Sequence, residues 1–172
     1  MTIPAVDVRD LLGHPGTSRR ESLRGTLEDL GTEVASVPAD RPIDGELLLE
    51  SIVEGILVSG RLAGTFHLRC ARCLREFDAQ FSVEVNELFT SEPDEGSDDY
   101  PLTPEGHLEP EQMVRDAVGV ELPFSPLCKP DCLGLCPVCG GDRNVGECPG
   151  DHQEVDPRWS ALDDVLHRLE QS

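Results

Sequence analysis

Seven cysteines fall into three tight patterns, and nothing else in the chain restricts its folding as much. Cys70-Ala-Arg-Cys73 is a CxxC pair and Cys128-Lys-Pro-Asp-Cys132 a Cx3C pair. Cys136-Pro-Val-Cys139-Gly140 is a second CxxC, followed by Cys148 and His152. A CxxC turn brings two thiolates to one ion while backbone N–H groups face the sulfurs. Gly140, after the second pair, accepts the positive φ such a turn favours. Tetrahedral zinc asks for four such ligands at roughly 2.0–2.3 Å. Seven is odd, so a scheme built only of disulfides leaves one thiol over. The opening residues, MTIPAVDVRDLLGHPG, show no basic stretch followed by an apolar one, as a secretory signal would. The expectation is a cytoplasmic chain in a reducing compartment, where cysteines more often bind metal than pair.

With His152 the cysteines make eight candidate ligands, enough for two tetrahedra. The preferred partition places Cys70, Cys73, Cys128 and Cys132 on one ion and Cys136, Cys139, Cys148 and His152 on another, so one or two zinc ions are expected. Two rival partitions stay open: a compact site from Cys128, Cys132, Cys136 and Cys139, or a long-range pairing of the two CxxC knuckles. An ordinary exposed loop histidine is the competing role for His152. A thioredoxin-like CxxC belongs near a βαβ pattern, whereas Cys70–Cys73 lies between alternating strands. Thiolates alone do not choose zinc over iron–sulfur.

Catalysis finds little support. A four-ligand zinc site is coordinatively closed and leaves no position for water. No P-loop, GxSxG or HExxH occurs, and His14, His67, His107 and His167 are scattered as surface residues would be. The expectation is a non-enzyme without catalytic residues or small-molecule substrate.

Elsewhere the chain reads as α+β. Leu23–Leu30 and Thr32–Val37 suggest edge strands, and Leu47–Val58 is rich in Leu, Ile and Val, with Gly60 read as a turn. Leu62, Phe66 and Leu68 alternate with polar neighbours. So do Phe77, Ala79, Phe81, Val83 and Val85, which predicts an antiparallel β-meander, flat or curled toward a partial barrel, with the first CxxC at a turn. Over 91–109 acidic residues meet no Lys or Arg, which reads as a solvated, mobile loop. Two short helices are expected: one opened by Pro110 with Met113, Val114, Ala117 and Val118 on one face, and one at the C-terminus starting at Ser160 with Leu162, Val165, Leu166 and Leu169. Residues 124–156, rich in Cys, Gly and Pro, need a metal to hold shape. Aromatics are only 4%, so residues 1–172 are expected to form a single domain with one modest aliphatic core and a metal staple.

A net charge of −20 repels nucleic acid and attracts basic proteins. The one basic feature is Arg61, Arg69, Arg72 and Arg75, with His67, around the first CxxC. These form a phosphate- or partner-facing patch if they converge, and ordinary ion pairs with nearby carboxylates if they do not. No run of 18 apolar residues is present, so no membrane span is expected.

The ordered set of motifs resembles the YceD family, the large-subunit ribosomal RNA accumulation proteins of bacteria and plastids. It runs from Cys70-Ala-Arg-Cys73-Leu74 through the acidic stretch to Glu121-Leu-Pro123. It continues with Cys132-Leu-Gly-Leu-Cys136-Pro-Val-Cys139-Gly140 and ends at Asp156-Pro-Arg-Trp159, over residues 46–170 in all. Val6-Asp-Val-Arg-Asp-Leu-Leu12 is similar to the opening of actinobacterial members. The resemblance implies a cytoplasmic ribosome-biogenesis factor needed for synthesis, processing or stability of large-subunit ribosomal RNA. In this family the gene often neighbours that of a small zinc-binding ribosomal protein. That implies a basic large-subunit ribosomal protein or pre-ribosomal particle as partner, with direct RNA contact left open. Many members close the cysteine segment with CxC, where this chain has Cys148-Pro-Gly-Asp-His152. A redox- or zinc-responsive regulator that uses its thiolates as a sensor is the alternative function.

Overall fold

The computed structural model describes residues 2–93, 96–150 and 152. After a two-residue strand, β1 (Val6–Asp7), come β2 (Ser18–Gly25), β3 (Ala35–Ser36), β4 (Ile43–Ser51), β5 (Ile56–Arg69) and β6 (Glu76–Thr90). The last three form the antiparallel meander that the alternation predicts. β5 and β6 pair without a slip from Ile56↔Phe89 to Arg69↔Glu76. β2 lies on the free side of β4, β3 on the far end of β5, and β7 (Tyr100–Pro101) runs parallel to β6. The path of the described sheet, β2-β4-β5-β6-β7, is open rather than closed into a barrel. A separate ribbon joins β1 to β8 (His107–Leu108), and α1 (Glu111–Glu121) follows.

The period-two pattern decides the core. Leu47, Leu49, Val58, Leu62, Phe66, Leu68, Phe81, Val85 and Phe89 share the inner face and are buried, while Asp44, Glu46, Arg61 and Glu84 face water. Phe66 stacks on Phe81 with ring centroids 4.3 Å apart. α1 starts after Pro110, whose missing N–H costs nothing there. Its buried stripe of Met113, Val114 and Val118, with Ala117 beside it, joins the same core as Val8 and Leu11.

Three expectations change. Gly60 is not a turn but the middle of β5, opposite Leu47 and Val85. The strand needs glycine there because a Cβ would sit 2.2 Å from the Glu46 carbonyl oxygen. The turn lies instead at 52–55, where the Ile52 N–H bonds the Gly55 carbonyl. The edge strand expected over Leu23–Leu30 begins earlier and ends sooner, since the polar residues from Ser18 to Ser22 pair with β4 and β2 stops at Gly25. The acidic stretch 91–109, expected as a loop, supplies β7 and β8, because its few apolar side chains are claimed by the core. Tyr100 stacks on Phe89 at 5.2 Å, and Leu102 and Leu108 are buried and bridge each other. The helix expected from Ser160 lies outside the described residues; α1 is the one helix among those described.

Candidate metal centres

The longest hairpin of the fold carries the first CxxC at its tip. Between β5 and β6 the Cys70 N–H bonds the Arg75 carbonyl and the Leu74 N–H bonds the Cys70 carbonyl, with Leu74 at φ 59° closing the turn. The segment after α1 docks on this tip through the Ala71 N–H to the Pro126 carbonyl, 2.8 Å, and the Leu135 N–H to the Arg72 carbonyl, 2.9 Å. Together these contacts bring Cys70, Cys73, Cys128 and Cys132 so close that all four sulfurs lie within 4.8 Å of one another. Cys70 Sγ is 3.8 Å from Cys132 Sγ, and Cys73 Sγ 3.6 Å from Cys128 Sγ. A tetrahedron with metal–sulfur bonds of about 2.3 Å has edges of about 3.8 Å. All four thiols are free rather than joined in disulfides. Cys70, Cys73 and Cys132 are buried, with Phe77 and Leu127 packed against them.

Protonation makes the same point. Burial pushes the Cys70 thiol up, but the backbone N–H groups of Cys128, Cys73 and Arg72 outweigh it and bring it down to about 6. Cys128, desolvated and facing three neighbouring thiols, is pushed up to about 12. Four sulfurs in one dry cluster do not all hold negative charge unaided. A divalent cation at the centre removes that conflict.

The second group is local. The Cys136 N–H bonds the Gly141 carbonyl and the Gly140 N–H the Cys136 carbonyl, the knuckle that the CPxCG spacing predicts, with Gly140 at φ 73°. Cys136, Cys139, Cys148 and His152 place one ligand atom each within 4.8 Å of the others. Here Cys136 is buried, Cys139 exposed, and Cys148 and His152 half-buried. The backbone N–H groups of Cys139 and Val138 draw the Cys136 thiol down to about 6. The Nε2 atom of His152 is buried and has no hydrogen-bond partner, as a nitrogen left for an ion would be. The donor set therefore suits a soft or borderline cation, and the eight side chains are gathered into two groups rather than the compact or knuckle-to-knuckle alternatives.

The arginine patch does not assemble as a free surface. Arg61 pairs with Glu84 at 3.1 Å, Arg69 with Glu76 at 3.3 Å and Arg75 with Asp142 at 3.2 Å, while His67 lies 3.1 Å from Asp78. Arg72 instead donates from Nη1 to the Cys132 carbonyl at 2.9 Å, so it clamps the two halves of the first group. Two polar residues between the groups carry no motif by which the sequence singles them out. Asp142 pairs with Arg75 and accepts the Asn144 N–H at 2.8 Å. Asn144 Nδ2 lies 3.5 Å from Cys132 Sγ. A short polar turn between cysteines reads as loop until its contacts are known.

The family described as large ribosomal RNA subunit accumulation protein YceD matches residues 58–166, a span that holds both cysteine groups and the hairpin that presents the first. The chain belongs to the YceD family. That YceD membership points to a role in the accumulation of large-subunit ribosomal RNA. The chain is 39% identical over 146 residues to uncharacterized protein Rv2926c of Mycobacterium tuberculosis, covering 80% of this chain and 68% of that protein. Uncharacterized protein ML1660 of Mycobacterium leprae is 35% identical over 147 residues, covering 82% and 67%. Both are consistent with an actinobacterial type of YceD protein. No solved structure matches the chain. Among the described residues no helix is long and apolar enough to cross a membrane.

Proposed function

We propose that the chain is a non-enzymatic, cytoplasmic ribosome-biogenesis factor, ordered by two zinc ions, that supports large-subunit ribosomal RNA by binding a basic ribosomal protein or a precursor particle. The family match over residues 58–166 carries this reading. Zinc in the first group would be held by Cys70, Cys73, Cys128 and Cys132, and in the second by Cys136, Cys139, Cys148 and His152. Its contribution there is cross-linking, since four protein ligands leave no open coordination position. The net charge of −20 favours a basic protein over naked RNA. The pairing of Arg61, Arg69 and Arg75 with carboxylates supports the same choice. Tagged full-length protein should capture its partner from lysate with nuclease present as well as absent, and depletion should lower mature large-subunit RNA. Normal ribosome profiles on depletion, or capture abolished by nuclease, would contradict the reading.

One observation favours the sensor alternative, namely the exposure of Cys139 beside the low-pKa thiol of Cys136. Zinc-loaded protein that releases its metal at low peroxide, with normal ribosomes in the depleted cell, would move the assignment there.

A further inference from the structure

The turn that the second group closes reaches back to the first. Residues 141–147 lie between Cys139 and Cys148 and are folded by their own bonds: Glu147 N–H to the Asp142 carbonyl at 3.1 Å, and Asp142 N–H to Glu147 Oε2 at 3.1 Å. From this turn Asn144 points out of its own group. Its Oδ1 accepts the Leu133 N–H at 2.9 Å, and its Nδ2 donates to Asp142 Oδ1 at 2.7 Å and toward Cys132 Sγ at 3.5 Å. All three contacts require the same orientation of the amide, with nitrogen toward the sulfur. Asp142 holds the amide from behind and is itself tied to Arg75, which follows the first CxxC. The Arg143 N–H to Gly134 carbonyl bond, 3.0 Å, and the bridge between Leu135 and Asp142 fasten the same turn beside Cys132.

We propose that Asn144 is a positioning residue for the first metal site, and that through it occupancy of the second site sets the thiolate reactivity of the first. This rests on the reading of both groups as zinc sites. An N–H donor on a metal-bound thiolate withdraws electron density from sulfur, which lowers its nucleophilicity and fixes its direction. Cys132 receives that donor from a side chain whose turn is anchored at both ends by ligands of the other ion. When the second ion leaves, Cys139 and Cys148 no longer hold the ends of the turn, and Asn144 loses its fixed place on Cys132. The separation of the two groups in sequence therefore does not make them independent.

The test uses the full chain loaded with cobalt for spectra and with zinc for reactivity. Asn144→Ala should keep two metals per chain, move the sulfur-to-cobalt charge-transfer band of the first site to lower energy, and lower that site's affinity by roughly tenfold. Alkylation of Cys132 by iodoacetamide, followed by peptide mass, should accelerate several-fold. Cys139→Ser, which removes a ligand of the second site only, should give the same band shift and acceleration with Asn144 intact, and the double variant should add nothing. An unchanged band and rate in Asn144→Ala would overturn the positioning role. An unchanged first site in Cys139→Ser would overturn the coupling, and it reads the coupling even where Asn144→Ala fails to fold. A wild-type chain that takes up no metal would overturn the zinc reading and this inference together.

Discussion

The two cysteine groups share a chemistry and differ in what they join. Cys70 and Cys73 sit at the tip of the β5–β6 hairpin, and their partners Cys128 and Cys132 arrive from beyond α1, with sequence separations of 55 and 62 residues across the two close sulfur pairs. The second group is gathered from Cys136 to His152 alone. Closing the longer loop costs about 1 kcal/mol more chain entropy than closing the shorter, so the long-range link removes more freedom from the unfolded chain. The larger difference is burial. Cys70 is 0% exposed and Cys132 2%, whereas Cys139 is open to water. With an ion in each, the first group would staple the cysteine segment onto the sheet and the second would shape the segment itself. A metal's ligand set thus says little about its structural weight until the sequence distance and dryness of the ligands are known.

The largest expected effect comes from breaking the long-range staple. Cys70→Ser should lose one zinc and cost roughly 4 kcal/mol in urea unfolding, because it removes a ligand from a dry cluster and frees residues 124–150 from the hairpin. Cys139→Ser should lose one zinc with a much smaller global cost, about 1 kcal/mol, and new protease cleavage confined to residues 136–150. Equal unfolding midpoints for these two variants would break the comparison.

Two glycines sharpen it further. Gly134, at φ 72°, lies where a Cβ would be 2.9 Å from the Arg72 carbonyl oxygen, at the contact between hairpin tip and cysteine segment. Gly134→Ala adds that crowding to the strain of positive φ and should cost about 2 kcal/mol. Gly146, at φ 75°, has nothing within 4 Å of a Cβ, so Gly146→Ala should pay strain alone, about 1 kcal/mol. Thermal unfolding of the pair at equal metal content measures the difference. The smallest effect belongs to Arg61→Ala. Its ion pair with Glu84 is exposed on both sides, and such pairs contribute little. Zinc content and unfolding midpoint should not move, and a loss of partner capture would restore the arginine as a contact residue.

The local cysteine pairs were legible in their short spacings, but which pairs share a group was not, because Cys70 and Cys73 meet Cys128 and Cys132 only where the segment after α1 docks on the hairpin tip. The meander was legible too, because Phe77 to Val85 alternate without interruption. The site of the turn was not. Gly60 and Gly55 look alike in sequence, and both are crowded by a neighbouring carbonyl; only the pairing of Gly60 with Leu47 and Val85 shows that it lies within a strand. Ser18–Ser22 carried no apolar period because β2 is an exposed edge held by backbone pairing with β4. The acidic stretch hid Tyr100, Leu102 and Leu108, whose burial depends on Phe89 and on one another. Asn144 escaped for the same kind of reason: its role lies in a contact with Cys132, not in a spacing.

The central claim is that two ions are held, one by four sulfurs and one by three sulfurs and a nitrogen. Elemental analysis with X-ray absorption at the metal edge on protein purified under reducing conditions tests it most directly. Two zinc ions per chain are expected, with seven sulfurs and one nitrogen shared between them. A single zinc bound by four sulfurs, iron in place of zinc, or reduced protein free of metal would contradict it.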